Sequence, residues 1–329
     1  MDEPEAPPID IKNEVDNDPC PPWEFLYTNL LVRGDGVPKA PEKSTLKGCS
    51  CIGGCPSDSD MCECAAKNMQ LRSEVRTTTG FLYDSEGRLR EFDHPIFECN
   101  DACACAEYCN NRVTQKGRRC ALEIRKTEKR GWGVFAAEDI PSGTYLGVYS
   151  GELLTDEEAE VRGKTYNDYN RNYLFDVDFR YIKDYLATQR RKLKQRYTVD
   201  AMHVGCFTRF FNHSCDPNSM IVPCVFGDAY PEIPYLAFFT LDPITKGDEI
   251  TFSYKGDTIT NAQERQAKRA RYKAKKLLGK KKTAKPGAFG KIDVPCECGS
   301  VLCEGSMWNL GSSDDEESGE EGEDSDRSM

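Results

Sequence analysis

The chain has 329 residues, 38% of them hydrophobic, and a formal net charge of −11. That length accommodates a sizeable core and a second unit, and no apolar run approaches the roughly 18–20 residues that a bilayer span needs. The acidic, Pro-rich start MDEPEAPPID does not read as a secretory leader. A reducing compartment is therefore expected, and the 17 cysteines are read as metal ligands rather than disulfides.

Charge is segregated along the chain. Residues 1–20 hold seven acids and one Lys and are expected to be an acidic disordered tail, followed by an N-terminal segment at 21–48. Residues 49–64 then read CSCIGGCPSDSDMCEC, giving Cys49, Cys51, Cys55, Cys62 and Cys64; CNDACACAEYC adds Cys99, Cys103, Cys105 and Cys109. Nine thiols do not divide into ordinary four-ligand sites. Three tetrahedral zincs offer twelve positions, which six terminal and three bridging cysteines fill with none left over. The C-x-x-C spacing of fungal two-zinc clusters is absent, and an iron–sulfur cluster wants four cysteines at other intervals. A trinuclear zinc cluster is expected within residues 49–112, structural because saturated thiolate sites leave no open position, with folding coupled to metal.

Residues 113–260 read as mainly β. Alternating apolar positions in ALEIRKT, GWGVFAA and TYLGVYSGEL mark short strands between Gly and Pro turns. Thr155 followed by Glu158 is a capping-box pattern opening a short helix. Strands resume at NYLFDVDF, YTVDA, YLAFFTL and DEITFSY, with a basic insert at 180–196. The stretch 261–291 carries nine Lys, three Arg and one Glu and is expected to be a basic loop. Beyond it CECGSVLCEG supplies Cys296, Cys298 and Cys303, and residues 311–329 hold nine acids and one Arg, a second acidic disordered tail. Three thiolates want a fourth ligand, and spacing leaves Cys20, Cys120, Cys206, Cys215 and Cys224 as candidates. The moderately acidic body suits a basic partner better than naked nucleic acid.

RGWGVFAAEDIPSGTYLGVYSGE, RFFNHSCDPN and GDEITFSY resemble the three signature segments of a SET domain. With nine cysteines ahead and C-x-C-x4-C behind, their order resembles the heterochromatin-type histone H3 lysine 9 methyltransferases, fungal members included, over roughly residues 20–310. The resemblance implies a pre-SET zinc cluster, a SET fold in which RFFNHSC threads a loop as a pseudoknot, and a post-SET segment at 292–310. It implies Cys215 as the fourth ligand beside Cys296, Cys298 and Cys303, making four zincs, with His213 outside the coordination.

The activity implied is methyl transfer from S-adenosylmethionine to a lysine of the H3 tail, lysine 9, to the di- or trimethylated state. The implied setting is the nucleus, in chromatin, with heterochromatin formation and gene silencing as the outcome and a monomer as the working unit. Tyr254 is implied as the main catalytic tyrosine and Tyr149 as the second hydroxyl, with Phe175, Phe252 and Trp308 around the lysine channel. Phe252, two residues before the catalytic tyrosine, implies room for further methylation. The cofactor residues implied are Gly131, Trp132, Gly133, Tyr173, Arg209, Phe210, Asn212 and His213. The tail is expected to add as a strand to an exposed sheet edge, with DVDFRYIKD (176–184) contributing carboxylates. The basic loop is expected either to occupy that groove until methylated, at Lys273 or Lys275, or to touch nucleosomal DNA. Two other readings are an inactive zinc-stapled chromatin-binding module and a methyltransferase for a non-histone protein.

Overall fold

The computed structural model describes residues 1–329 except 1–2, 4, 23, 56–61, 71–80, 169–171, 178–189, 191–195, 228, 230, 257, 278–291 and 311–329. For residues 70, 167–168, 275–277, 292–294 and 308–310 the backbone alone is described. The C-terminal tail and, apart from Arg190 and Arg196, the insert at 180–196 thus lie outside the described residues.

The acidic N-terminus departs from expectation. Strand β1 (Ile9–Lys12) pairs in parallel with β5 (Leu122–Lys126), which is antiparallel to β6 (Trp132–Ala136). Ile9 and Ile11 alternate with Asp10 and Lys12, the two-residue period of a strand. Its charges are also paired, Lys12 with Glu123 and Lys126 with Asp16 and Asp18. Residues 1–20 are therefore not a free tail over their second half.

Two four-stranded sheets carry the centre. In one, β3 (Leu31–Arg33) runs parallel to β8 (Gly151–Thr155), which is antiparallel to β10 (Tyr197–Asp200), and β9 (Leu174–Asp176) closes the order β3-β8-β10-β9. In the other, β4 (Ile96–Phe97), β13 (Ser219–Val225), β14 (Tyr235–Thr240) and β7 (Tyr145–Val148) are hydrogen-bonded in that order. YLAFFT in β14 is buried at every position, so it reads as a continuous apolar run rather than an alternation. Two small parallel pairs lie against these sheets, β2 (Leu26–Tyr27) with β11 (Val204–Gly205) and β12 (Asn212–His213) with β15 (Thr251–Phe252). The second joins the NHSC segment to the DEITFSY segment, the crossing that a pseudoknot requires. A hairpin of β16 (Ile292–Pro295) and β17 (Ser306–Leu310) ends the described chain.

Among the described residues three α-helices decorate the strands: α1 (Glu63–Gln70), α2 (Asp156–Asp168) and α3 (Ala262–Leu277). The expected cap holds, with Glu158 N donating to Thr155 Oγ1 at 3.4 Å. Arg162 then clamps α2 to the sheet through Glu152 at 2.6 Å and buried Asp200 at 2.9 Å. Helix α3 corrects the expected basic loop over its first half. Its Ala, Gln, Arg and Lys are strong helix formers, and Asn261 Oδ1 accepts Glu264 N at 3.0 Å as an N-cap. Arg265 and Arg269 turn inward to Asp242, and Arg269 also to Asp216.

Candidate active site and metal centres

Four of the aromatic residues singled out in the sequence converge. The ring centroids of Tyr149 and Phe175 are 5.7 Å apart, those of Phe175 and Phe252 6.3 Å, and those of Phe252 and Tyr254 4.8 Å. Tyr149 Oη donates to the carbonyl of Tyr173 at 2.6 Å, and Tyr254 Oη to that of Phe211 at 2.8 Å. Burial pushes both phenols above their usual pKa, so both stay protonated at neutral pH. Each oxygen, its proton committed to a carbonyl, keeps lone pairs to accept a further hydrogen bond. Trp308 sits in β17 opposite Val294, and its side chain lies outside the description.

Phe238, which the sequence reading passed over, supports this group from below. Its ring meets Phe211 at 4.8 Å, Phe252 at 5.0 Å and Tyr149 at 6.4 Å, all edge-on. The signal for it is weak, because β14 is buried at every position and periodicity cannot rank its residues.

The expected cofactor residues fall into two groups, one where β6 meets β12 and one around Arg209. Asn212 Nδ2 donates to Trp132 O at 3.2 Å and to Glu249 Oε1 at 2.8 Å. Both amide hydrogens are thereby occupied, and Oδ1 is left as the acceptor that the side chain presents. Glu249 also pairs with Arg130; neither residue was expected. A side chain at Gly133 would disturb this contact, since a Cβ there would stand 2.5 Å from Glu249 Oε1 and 3.0 Å from Asn212 Nδ2 and one of them would have to shift. Gly131 turns with φ +65°, a glycine conformation, and the Lys126 ammonium lies 5.6 Å over the Trp132 ring. Arg209 stacks between Tyr173 and Phe25, 4.1 and 4.4 Å from their centroids, and donates Nε to Ala201 O at 2.8 Å. Buried Phe210 lies against Phe25 at 6.2 Å.

His213 takes a structural place. Its Nδ1 accepts Tyr254 N at 3.1 Å, which leaves the ring proton on Nε2, 3.5 Å from Cys215 Sγ. The ring thus spaces the tyrosine backbone from the sulfur. Cys215 groups with Cys296, Cys298 and Cys303, all four sulfurs within 4.8 Å of one another and His213 outside the set. Burial raises the Cys298 thiol, but the Cys215 N–H and Ser300 outweigh it and bring the pKa down to about 6.

The other cysteines converge as well. Cys49, Cys55 and Cys99 form a triangle with Sγ separations of 3.6, 3.6 and 4.0 Å. Around it lie the quartets Cys49–Cys64–Cys99–Cys103, Cys49–Cys51–Cys55–Cys62 and Cys49–Cys55–Cys99–Cys105. Cys109 closes the set, its sulfur accepting Cys55 N at 3.4 Å. A zinc with Zn–S of about 2.3 Å in a tetrahedron sets sulfurs about 3.8 Å apart, so the donor spacing fits that ion. Burial pushes Cys51 up to about 12, and burial also raises Cys55. Thiols packed this closely ionise together when a divalent cation offsets their charge.

Residues 131–255 match the SET domain profile and residues 1–112 the Pre-SET motif, which begins well before the expected boundary at 49. An H3 lysine-9 specific histone-lysine N-methyltransferase of Cryptococcus neoformans is 38% identical over 94% of this chain. The solved Neurospora SET domain protein DIM-5, a histone lysine methyltransferase, is 34% identical, covering 77% of this chain and 97% of its own, with a TM-score of 0.62. The chain belongs to the SET-domain family. Its fold is the mainly β SET fold behind a pre-SET cysteine cluster. KRYPTONITE, solved with mCHH DNA, an H3(1–15) peptide and SAH, is 25% identical over 91% of this chain and 51% of its own, with a TM-score of 0.63. This SET-domain chain spans 19% of the length of the Cryptococcus relative.

Proposed function

We propose that this SET-domain protein is an S-adenosylmethionine-dependent methyltransferase for lysine 9 of the histone H3 tail, acting in nuclear chromatin. The observation that carries the reading is the pair of phenols, buried Tyr149 and half-buried Tyr254, each tied to a backbone carbonyl beside Phe175 and Phe252. Lysine at its reference pKa of about 10.4 is about one part in a thousand neutral near pH 7.4. Aromatic walls tolerate the incoming cation and, by excluding water, favour its neutral form. The two phenol oxygens then accept the amine N–H bonds and aim the nitrogen, so that positioning carries the rate.

S-adenosylmethionine supplies an electrophilic methyl group on a sulfonium. Gly131, Trp132, Gly133, Tyr173, Phe210 and Asn212 would hold it, with His213 contributing its backbone and Asn212 Oδ1 accepting from its ammonium. Arg209 shapes the pocket by fixing the Tyr173 ring. β9 is the edge of its sheet among the described residues, and it offers the backbone to which an H3 tail adds, with Asp176 exposed for its basic residues. Lys268, Arg271 and Lys273 on the exposed face of α3 are suited to nucleosomal DNA.

In the metal centres, Cys49, Cys55 and Cys99 would be shared as bridging ligands among three zincs, with Cys51, Cys62, Cys64, Cys103, Cys105 and Cys109 each terminal on one. Cys215, Cys296, Cys298 and Cys303 would hold a fourth. Two assays test the activity. Labelled methyl should pass to an H3 tail peptide, with Tyr254→Phe slower by at least about 100-fold; no transfer with cofactor bound and four zincs present overturns the reading. Mass analysis should show di- and trimethyl product, and Phe252→Tyr should stop at fewer methyl groups.

A further inference from the structure

A buried cation outside the active site lies against the thiol cluster. Arg112 is 8% exposed. Its Nη2 donates to Asn100 O at 2.7 Å and faces Cys105 Sγ at 3.7 Å, and Nη1 donates to Gln115 Oε1 at 2.9 Å. Gln115 Nε2 in turn donates to Glu98 Oε2 at 2.8 Å and to Cys99 O at 2.7 Å. Buried Glu98 accepts Tyr83 Oη at 2.7 Å and the backbone N–H groups of Val113 and Thr114 at 3.0 and 2.8 Å. Its own N–H donates to Val225 O at 3.1 Å, at the end of the β4–β13 ladder.

Charge makes this chain of contacts matter. Nine thiolates around three divalent zincs leave a net charge of −3 on a cluster whose sulfurs are mostly buried, and a buried charge needs compensation. Backbone N–H groups supply partial charge: Cys49 and Asn100 to Cys103 at 3.3 and 3.2 Å, Cys55 and Asn111 to Cys109 at 3.4 Å each. Lys116 is nearby, but its ammonium donates to the Cys109 carbonyl at 3.1 Å. Arg112 brings a whole positive charge to a cluster sulfur and cannot lose it.

We propose that Arg112 is the countercharge of the thiolate cluster, held against it by Asn100 and Gln115. The inference rests on the three-zinc reading of the cysteines. It is tested on the full chain by zinc content and by the rate of zinc release to a chromogenic chelator. Arg112→Met keeps bulk and removes charge; its three cluster zincs should leave about 10- to 100-fold faster, the scale of lost outer-shell support, while the Cys215 zinc leaves at the unsubstituted rate. Arg112→Lys, which keeps the charge, should stay close to the unsubstituted chain. Release from Arg112→Met at the unsubstituted rate overturns the proposal, as does Arg112→Lys releasing as fast as Arg112→Met. Should Arg112→Met yield no folded protein, Arg112→Lys decides: a full zinc complement supports the countercharge and a failure to fold refutes it. An unsubstituted chain with fewer than three cluster zincs brings down the zinc reading itself, and this inference with it.

Discussion

Between the cysteine region and the strands that follow it, the chemistry of the buried surface changes. The cluster at 49–109 packs its thiols with Ala65 and Phe81 as their buried apolar company, whereas the core around β14 is built from Phe207, Phe211, Phe238, Leu236, Val199 and their neighbours. The first region has little apolar area around its thiols to remove from water, and the proposed metal–sulfur bonds would supply its stability. The second follows ordinary area burial, about 25 cal/mol per Å². On the proposed reading, a single chain uses coordination where it lacks hydrocarbon.

The sharpest way to break this comparison is at a bridging sulfur. Cys99→Ser should cost the cluster at least two zincs by elemental analysis and unfold residues 49–112, because structural zinc contributes about 10–16 kcal/mol to such folds; terminal Cys51→Ser should cost one. Next in size, Phe238→Ala should lower stability by about 3–5 kcal/mol in denaturant melts with the zinc count unchanged. Smaller again, Glu249→Gln gives the Asn212 amide a partner that can rotate, and should raise the KM for S-adenosylmethionine more than it lowers kcat.

The smallest effect concerns acid. Burial alone would raise Asp242, but Arg265 and Arg269 outweigh it and hold its carboxyl below the usual range. With the folded pKa below the unfolded value of about 3.9, the contribution is full above that pH and is lost as pH falls through the folded pKa. Amide protection of α3 should therefore fade below about pH 4 before that of β14, and Asp242→Asn should remove about 1–3 kcal/mol at neutral pH.

The two regions also differed in what the sequence disclosed. Thiol spacing is local, so the nine-cysteine set could be expected from residues a few positions apart, whereas Cys215, Tyr149 and Tyr254 were expected only through the resemblance of the NHSC, GVYSGE and TFSY runs to a SET domain. Residues that act across long separations could not be expected in either way. β1 lies over a hundred positions from its partner β5, and its acidic composition hid the Ile9–Ile11 alternation. Glu249 reads as an ordinary surface acid of a strand, and nothing local shows that it faces Gly133 and Asn212. The helix α3 was legible in its Asn261 and Glu264 cap but was masked by net charge. Arg112 looks like one more basic residue until the fold sets it beside Cys105.

The most direct test of the metal-held against the hydrocarbon-held region is hydrogen exchange of the full chain before and after chelation. Metal removal should abolish amide protection at residues 99–112 and at β4 while β10 and β14 stay slow. Loss of protection in β14 in step with the cluster, or no loss in the cluster, would contradict the account.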